Sequence, residues 1–101
     1  MIKRIVRLSF EEDKVSLFRS VFNEKKHSIR AFPGCVHLEL LKETSKENIF
    51  FTLSIWESED DLEAYRESEL FKATWEETKA LFDNKPQAWS MEIQDIVEYE
   101  K

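Results

Sequence analysis

Apolar and polar positions follow two different periods in the first third of the chain. Residues 2–10 are rich in β-branched side chains and roughly alternate, with Val6 and Leu8 on one face, which is typical of a strand. Residues 11–29 change to helical spacing, and the acidic side chains at their start suit the positive end of a helix. A proline–glycine pair at 33–34 then predicts a turn.

Alternation returns in the middle of the chain. Residues 35–42 and 49–56 predict two strands joined by a polar hairpin loop. Ser58 begins a capping sequence for a second helix, and Ser68 is expected to cap a separate third helix. Residues 88–97 predict the last strand.

This order, β-α-β-β-α-α-β, predicts an α+β fold of the ferredoxin-like, split βαβ type, formed as one domain over residues 1–101. Its four-stranded antiparallel sheet would carry all the helices on one face. The other face would present His37, Glu39, Leu41 and either Lys3 or Ile5. Such a mixture is too apolar for water and too polar for the core of a monomer, so it predicts a homodimer.

Composition removes several classes of chemistry. Among the 101 residues there are one glycine, one cysteine and two histidines, so phosphate-binding glycine loops, internal disulfides and cysteine-rich metal sites are excluded. We therefore expect no metal and no cofactor. A lone cysteine and the lack of a long apolar run predict a cytoplasmic protein with no membrane partner.

Charge is distributed unevenly along the chain. The formal net charge is −6, yet residues 1–31 contain eight basic and only four acidic side chains. The acidic bulk argues against a nucleic-acid partner. The basic third is interpreted as the solvated faces of a strand and a helix, and a local functional patch remains an alternative.

Few residues of the chain are candidates for catalysis or ligand binding. His37 and Glu39 are two apart on one strand, so a hydrogen bond between them could set the tautomer of the imidazole. Six large aromatic side chains come from the third strand, the second helical layer and the last strand: Trp56, Tyr65, Phe71, Trp75, Phe82 and Trp89. They could fill a core, or they could line a cavity for a flat ligand, because indole and phenol groups need polar partners when buried.

Three stretches of the chain contain short motifs. Residues 30–40 contain a P-G-x turn into the second strand, residues 51–58 contain W-x-S, and residues 63–71 contain an aromatic residue followed by S-x-x-F. The order of these motifs resembles the antibiotic biosynthesis monooxygenase domain family. The resemblance implies a dimeric α/β barrel, with a pocket between each sheet and its second helical layer.

The resemblance also implies a function. The family includes cofactor-independent monooxygenases, and we expect this chain to act on a small aromatic or quinone-like compound. His37 and Tyr65 are the candidate catalytic residues. The expected pocket lining is Val6, Trp56, Tyr65, Phe71, Trp75 and Trp89.

Two alternatives accompany this interpretation. The heme-degrading branch of the family uses an asparagine on strand one, a tryptophan on helix two and a histidine on the next helix. Here Val6, Tyr65 and Trp75 occupy those positions, so heme ligation in that manner is not expected. The other alternative is a dimer that binds a small hydrophobic metabolite without converting it.

Overall fold

The computed structural model describes residues 1–100. The elements in chain order are β1 (Ile2–Ser9), a 3₁₀ helix (Glu12–Lys14), α1 (Val15–Arg30), β2 (Cys35–Lys42), β3 (Ile49–Trp56), α2 (Glu59–Arg66), α3 (Glu69–Lys79) and β4 (Gln87–Glu92). All strand pairs are antiparallel, and the four strands lie in the order β2-β3-β1-β4. The predicted ferredoxin-like α+β fold is confirmed.

The strand register decides which side chains face the helices. Val6 pairs with Thr52 on β3 and Ala88 on β4, and paired residues share a face of the sheet. This helix face carries Leu8 and Trp56 into the core. The helices cover one face only, as the sequence predicted.

Two clusters of buried side chains hold the helices against the sheet. The larger cluster centres on Phe10, Phe18 and Phe50, and Phe10 stacks on Phe18 with ring centroids 4.2 Å apart. It fixes α1 and the end of α3. The smaller cluster contains Trp56 and Leu62 and fixes α2 against the ends of β1 and β3.

A β-bulge on β2 lets both ends of that strand contribute to the helix face. Cys35 pairs with Trp56, but the register shifts before His37, which pairs with Ile55. Leu38 therefore returns to the helix face, while His37 lies on the opposite one. An extra residue in one strand is what makes this change of face possible.

Serine caps define the two short helices, as predicted. The Ser58 hydroxyl accepts from the Asp61 amide at 3.1 Å, and the Ser68 hydroxyl accepts from the Phe71 amide at 3.1 Å. Each bond satisfies an amide that has no partner within the helix.

Two predicted boundaries are corrected. The segment expected to begin the first helix opens as a 3₁₀ turn, and the last strand ends at Glu92 instead of Val97. The strand stops because β4 pairs only with β1, whose first residue Ile2 faces Glu92. After the Ile93 amide, which donates to the Met1 carbonyl at 3.0 Å, no neighbouring strand is left to pair with.

The face of the sheet away from the helices, called the open face here, is largely apolar and has no cover within residues 1–100. It carries Ile5 beside Leu53 on β3 and Trp89 on β4. Trp89 is 44% exposed and Met91 46%. Within the same residues, no helix is long and apolar enough to cross a membrane.

Gly34 has a left-handed backbone conformation and lies against the start of α2. Its φ is +88°, and a Cβ there would overlap the Asp61 side chain at the start of α2. We expect Gly34→Ala to lower the free energy of unfolding by more than about 1–3 kcal/mol, the usual cost of a left-handed non-glycine residue, because the overlap adds to it. Urea unfolding followed by circular dichroism measures the loss.

The control is the same substitution in an Asp61→Gly background, because alanine would keep the Asp61 Cβ, one of the atoms that a side chain at position 34 would overlap. Removing the Asp61 side chain abolishes the overlap and leaves only the backbone strain, so Gly34→Ala should cost less there. Equal costs in the two backgrounds would contradict a steric role for Asp61.

Candidate functional site

A cavity of about 380 Å³ lies between the helix face of the sheet and the three α-helices. That volume falls within the range of small-molecule sites. Its apolar lining comes from every layer of the fold: Val6, Leu8, Phe18, Phe22, Ile29, Leu38, Trp56, Leu62, Tyr65, Phe71, Trp75, Pro86 and Ala88. The contribution of α1, through Phe18, Phe22 and Ile29, was not predicted.

Four aromatic rings form a continuous wall of this cavity. Trp56 stacks on Tyr65 at 4.9 Å, Tyr65 meets Phe71 edge-on at 5.3 Å, and Phe71 stacks on Trp75 at 5.8 Å. Such contacts stabilise one arrangement of the rings beyond the area that they bury. The structure brings these four residues and Val6 together at one cavity.

One serine sets the spacing within the wall. The Ser68 hydroxyl donates to the Tyr65 carbonyl at 2.6 Å and accepts from the Phe71 amide at 3.1 Å. It therefore closes α2 and opens α3 at a single point. Tyr65 and Phe71 are held on either side of this junction.

The hydroxyl groups at the cavity are mostly used within the protein. The Trp56 indole N–H donates to the Ser54 hydroxyl at 3.0 Å. Thr74 donates to the Leu70 carbonyl at 2.8 Å, and Thr78 donates to the Thr74 carbonyl at 2.7 Å. These threonines are bound back to their own helix, so they offer a ligand acceptor lone pairs more readily than protons.

Tyr65 is kept in its neutral form. Burial, and to a smaller extent the nearby Cys35, raise the pKa of the Tyr65 phenol well above its ordinary value. A phenol with a raised pKa is a poor source of phenolate at neutral pH. Tyr65 is therefore suited to donate a hydrogen bond and unsuited to remove a proton.

Two guanidinium groups supply the charge of the cavity lining. Arg4 lies on β1 and donates through Nη1 to the Ser90 hydroxyl at 2.8 Å. Arg66, the last residue of α2, donates to the Glu63 carboxylate at 2.8 Å and is exposed. Sequence analysis missed both arginines. The alternation of β1 could have indicated Arg4, since it shares a face with Val6 and Leu8.

His37 does not reach the cavity. It lies on the open-face side of the edge strand β2, where its Nε2 is 2.9 Å from the Glu39 carboxylate and nearly half of its side chain is exposed. The expected His37–Glu39 pair is therefore present. The structure does not bring it together with Tyr65.

Trp89 also lies elsewhere, which corrects the expected lining. Its partner across the strands is Ile5, so its ring is on the open face and not on the helix face. Cys35, in contrast, is buried beside Trp56, and burial raises the pKa of its thiol. A protonated, buried thiol is chemically inert.

Val6, Tyr65 and Trp75, which occupy the three heme-branch positions, all line this one cavity. An indole N–H only donates a hydrogen bond, so Trp75 cannot replace an imidazole as an iron ligand. Among residues 1–100, no group of three or more histidine, cysteine or acidic side chains is placed to hold a metal ion.

Solved structures share this fold. A Caulobacter crescentus protein, provisionally assigned to the antibiotic biosynthesis monooxygenases, has a TM-score of 0.87 and 20% sequence identity over 93% of this chain and 90% of that one. A conserved Methanosarcina mazei protein has a TM-score of 0.88 and 17% identity over 92% of each chain.

A variant of SnoaB, a cofactor-independent oxygenase from Streptomyces nogalater, has a TM-score of 0.83 and 18% identity over 97% of each chain. At these identities the similarity concerns the fold. No curated protein sequence matches this chain at a significant level.

The family is decided by a sequence match. The family model described as antibiotic biosynthesis monooxygenase matches residues 1–77, which include the first three strands, α2 and most of α3. The chain therefore belongs to the antibiotic biosynthesis monooxygenase family.

Proposed function

We propose that the protein is a cofactor-independent monooxygenase acting on a small aromatic or quinone-like compound. The aromatic wall of the cavity is the observation that carries this proposal, since stacked rings on one side of an apolar space suit a flat ligand. Membership of the monooxygenase family supports oxygen chemistry at that site.

The proposed reaction needs no redox group in the protein. An electron-rich phenol or anthrone, once ionised, can itself reduce dioxygen. When a ring methylene becomes a carbonyl, one oxygen atom enters the product, and the other leaves as water with the two methylene hydrogens. The task of the protein is then to position the ring and to favour the reacting form.

Three residues of the wall have a role in this proposal. Trp56 and Trp75 present ring faces to the ligand, and Tyr65 donates a hydrogen bond to a phenolic or quinone oxygen from a partly dehydrated position. His37 has no role in this proposal, because it lies outside the cavity.

The second candidate function is binding without turnover. Within residues 1–100, the cavity lining includes no carboxylate, imidazole, amine or thiol, and the phenol of Tyr65 stays neutral. A protein that only holds a hydrophobic metabolite needs no proton acceptor, so this observation specifically favours it. Oxygen consumption separates the two candidates.

We also propose that the open face packs against a second copy of the chain, which gives the dimeric barrel. Ile5, Leu53 and Ile55 form its apolar centre, and the exposed Trp89 extends it to the β4 edge. An apolar face of this kind is stabilised when it is withdrawn from water.

The unpaired Cys35 thiol fits a reducing compartment, for which we propose the cytoplasm.

The catalytic proposal predicts oxygen uptake with 1,8-dihydroxyanthrone as the probe. We expect the protein to accelerate uptake above the spontaneous rate, with one atom of labelled dioxygen found in the quinone product. An oxygen electrode and mass spectrometry measure the two quantities. Uptake at the spontaneous rate, together with measurable binding of the probe, would instead support the binding protein.

Tyr65→Phe tests the hydrogen bond. Only a hydroxyl is lost, so the unfolding midpoint should change little, whereas kcat/KM for the anthrone should fall about two- to tenfold, which corresponds to about 0.5–1.5 kcal/mol. Tyr99→Phe is the matched control, because Tyr99 is 86% exposed in the C-terminal segment. Equal activities of the two variants would contradict a role for the Tyr65 hydroxyl in binding or turnover.

Light scattering tests the dimer. We expect a mass of twice the 12.1 kDa of the chain at micromolar concentration. Leu53→Glu should return the mass to that of one chain, because a charge at the centre of the open face would be buried in the dimer. Leu17→Glu is the control, since Leu17 is an exposed leucine of α1. A single-chain mass for the unmodified protein would contradict the dimer.

A further inference from the structure

The cavity has an electrostatic character opposite to that of the chain. The formal net charge of the chain is −6, yet the only charged side chains in the cavity lining, within residues 1–100, are Arg4 and Arg66. An apolar space lined by charges of one sign concentrates the field that they produce. The interior therefore favours negative charge.

The two arginines differ in how far the protein neutralises them. Arg66 forms an ion pair with Glu63, and Glu63 does not line the cavity. Arg4 is half-buried, and its hydrogen bond goes to the neutral Ser90 hydroxyl. One of its five N–H donors is engaged in that bond, so others remain available for a ligand.

Arg4 and Arg66 line the same cavity, and their like charges repel each other. Burial, and then the charge of Arg66, lower the pKa of Arg4, while Glu63 opposes this change. A guanidinium remains protonated throughout the physiological range. The unfavourable proximity therefore persists in the free protein, and a bound anion would relieve it.

We propose that the cavity selects aromatic ligands that carry an ionised oxygen group, a carboxylate or an enolate, held by Arg4 and Arg66 while the ring lies against the aromatic wall. This inference rests on the proposed function only in assigning an aromatic ligand to the cavity. The planar guanidinium fork matches a carboxylate or an oxyanion beside a ring.

This selection has a consequence for the proposed chemistry. A site that binds the anion of an enol or phenol more tightly than its neutral form lowers the pKa of the bound ligand. Ionised substrate then accumulates without a base in the cavity. The proton of the enol or phenol passes to solvent water, and Arg4 and Arg66 stabilise the anion that remains; as guanidinium ions they accept no proton themselves.

The experiment compares two matched ligand pairs by calorimetry at pH 7.5. One pair is 2-naphthoate and neutral 2-naphthamide. The other is 2-hydroxy-1,4-naphthoquinone, whose enol is ionised at this pH, and its neutral 2-methoxy analogue. We expect the anion to bind about tenfold more tightly in at least one pair, and the preference to decrease with added NaCl. The pair that shows it identifies a carboxylate or an enolate.

Charge-removing variants assign the preference to the arginines. Arg4→Gln should lower the affinity for the preferred anion about three- to tenfold and leave the neutral analogue within about twofold. Arg66→Gln, on an exposed helix end, should have a smaller effect in the same direction. Lys72→Gln removes one positive charge from the exposed side of α3 and should change neither affinity.

The outcomes separate this inference from the proposed oxygenase activity. Equal affinities for anionic and neutral ligands in both pairs would overturn the anion selection, even if anthrone oxygenation were observed. A loss of preference in Lys72→Gln as large as in Arg4→Gln would also overturn it. Anion preference without oxygen uptake would leave the selection standing and contradict the oxygenase.

Discussion

The burial of Trp56 at the end of β3 is the contact on which the second half of the molecule depends. The indole is almost completely buried, its N–H donates to Ser54, and its ring stacks on Tyr65. Ser58 caps α2, so only one residue separates the buried Trp56 from the helix cap. The position of α2 follows from this short connection.

From Trp56 the aromatic contacts continue into the main core. Trp75 meets Phe82 edge-on at 5.6 Å, and Phe82 stacks on Phe10 at 5.3 Å. The sequence left two roles open for the aromatic residues, which could fill the core or line a cavity. Trp75 does both, since it packs against the larger buried cluster and also lines the cavity. Its truncation would therefore disturb stability and ligand binding together, whereas loss of the Tyr65 hydroxyl separates the two effects.

Local patterns predicted the fold better than they predicted the site. Both hairpin strands and both serine caps depend on neighbours within a few residues, so alternation and capping chemistry were sufficient to locate them. The face of the sheet on which Trp89 lies, and the residue at which β4 ends, both depend on pairing with β1, more than 80 residues away in sequence. No local pattern contains that register.

The missed arginines show the same limit in electrostatic terms. Arg4 could be assigned to the helix face from alternation, but its importance comes from Arg66, which α2 brings near it. A charge on the buried face of a central strand is costly unless something compensates it, and Ser90 does so only in part. The Glu63 carboxylate compensates a further part of the Arg4 charge, and the other N–H donors of Arg4 are left for solvent or a ligand. The proposed aromatic anion would meet each of these features, since its ring would lie against the aromatic wall and its ionised oxygen would accept from Arg4 and Arg66.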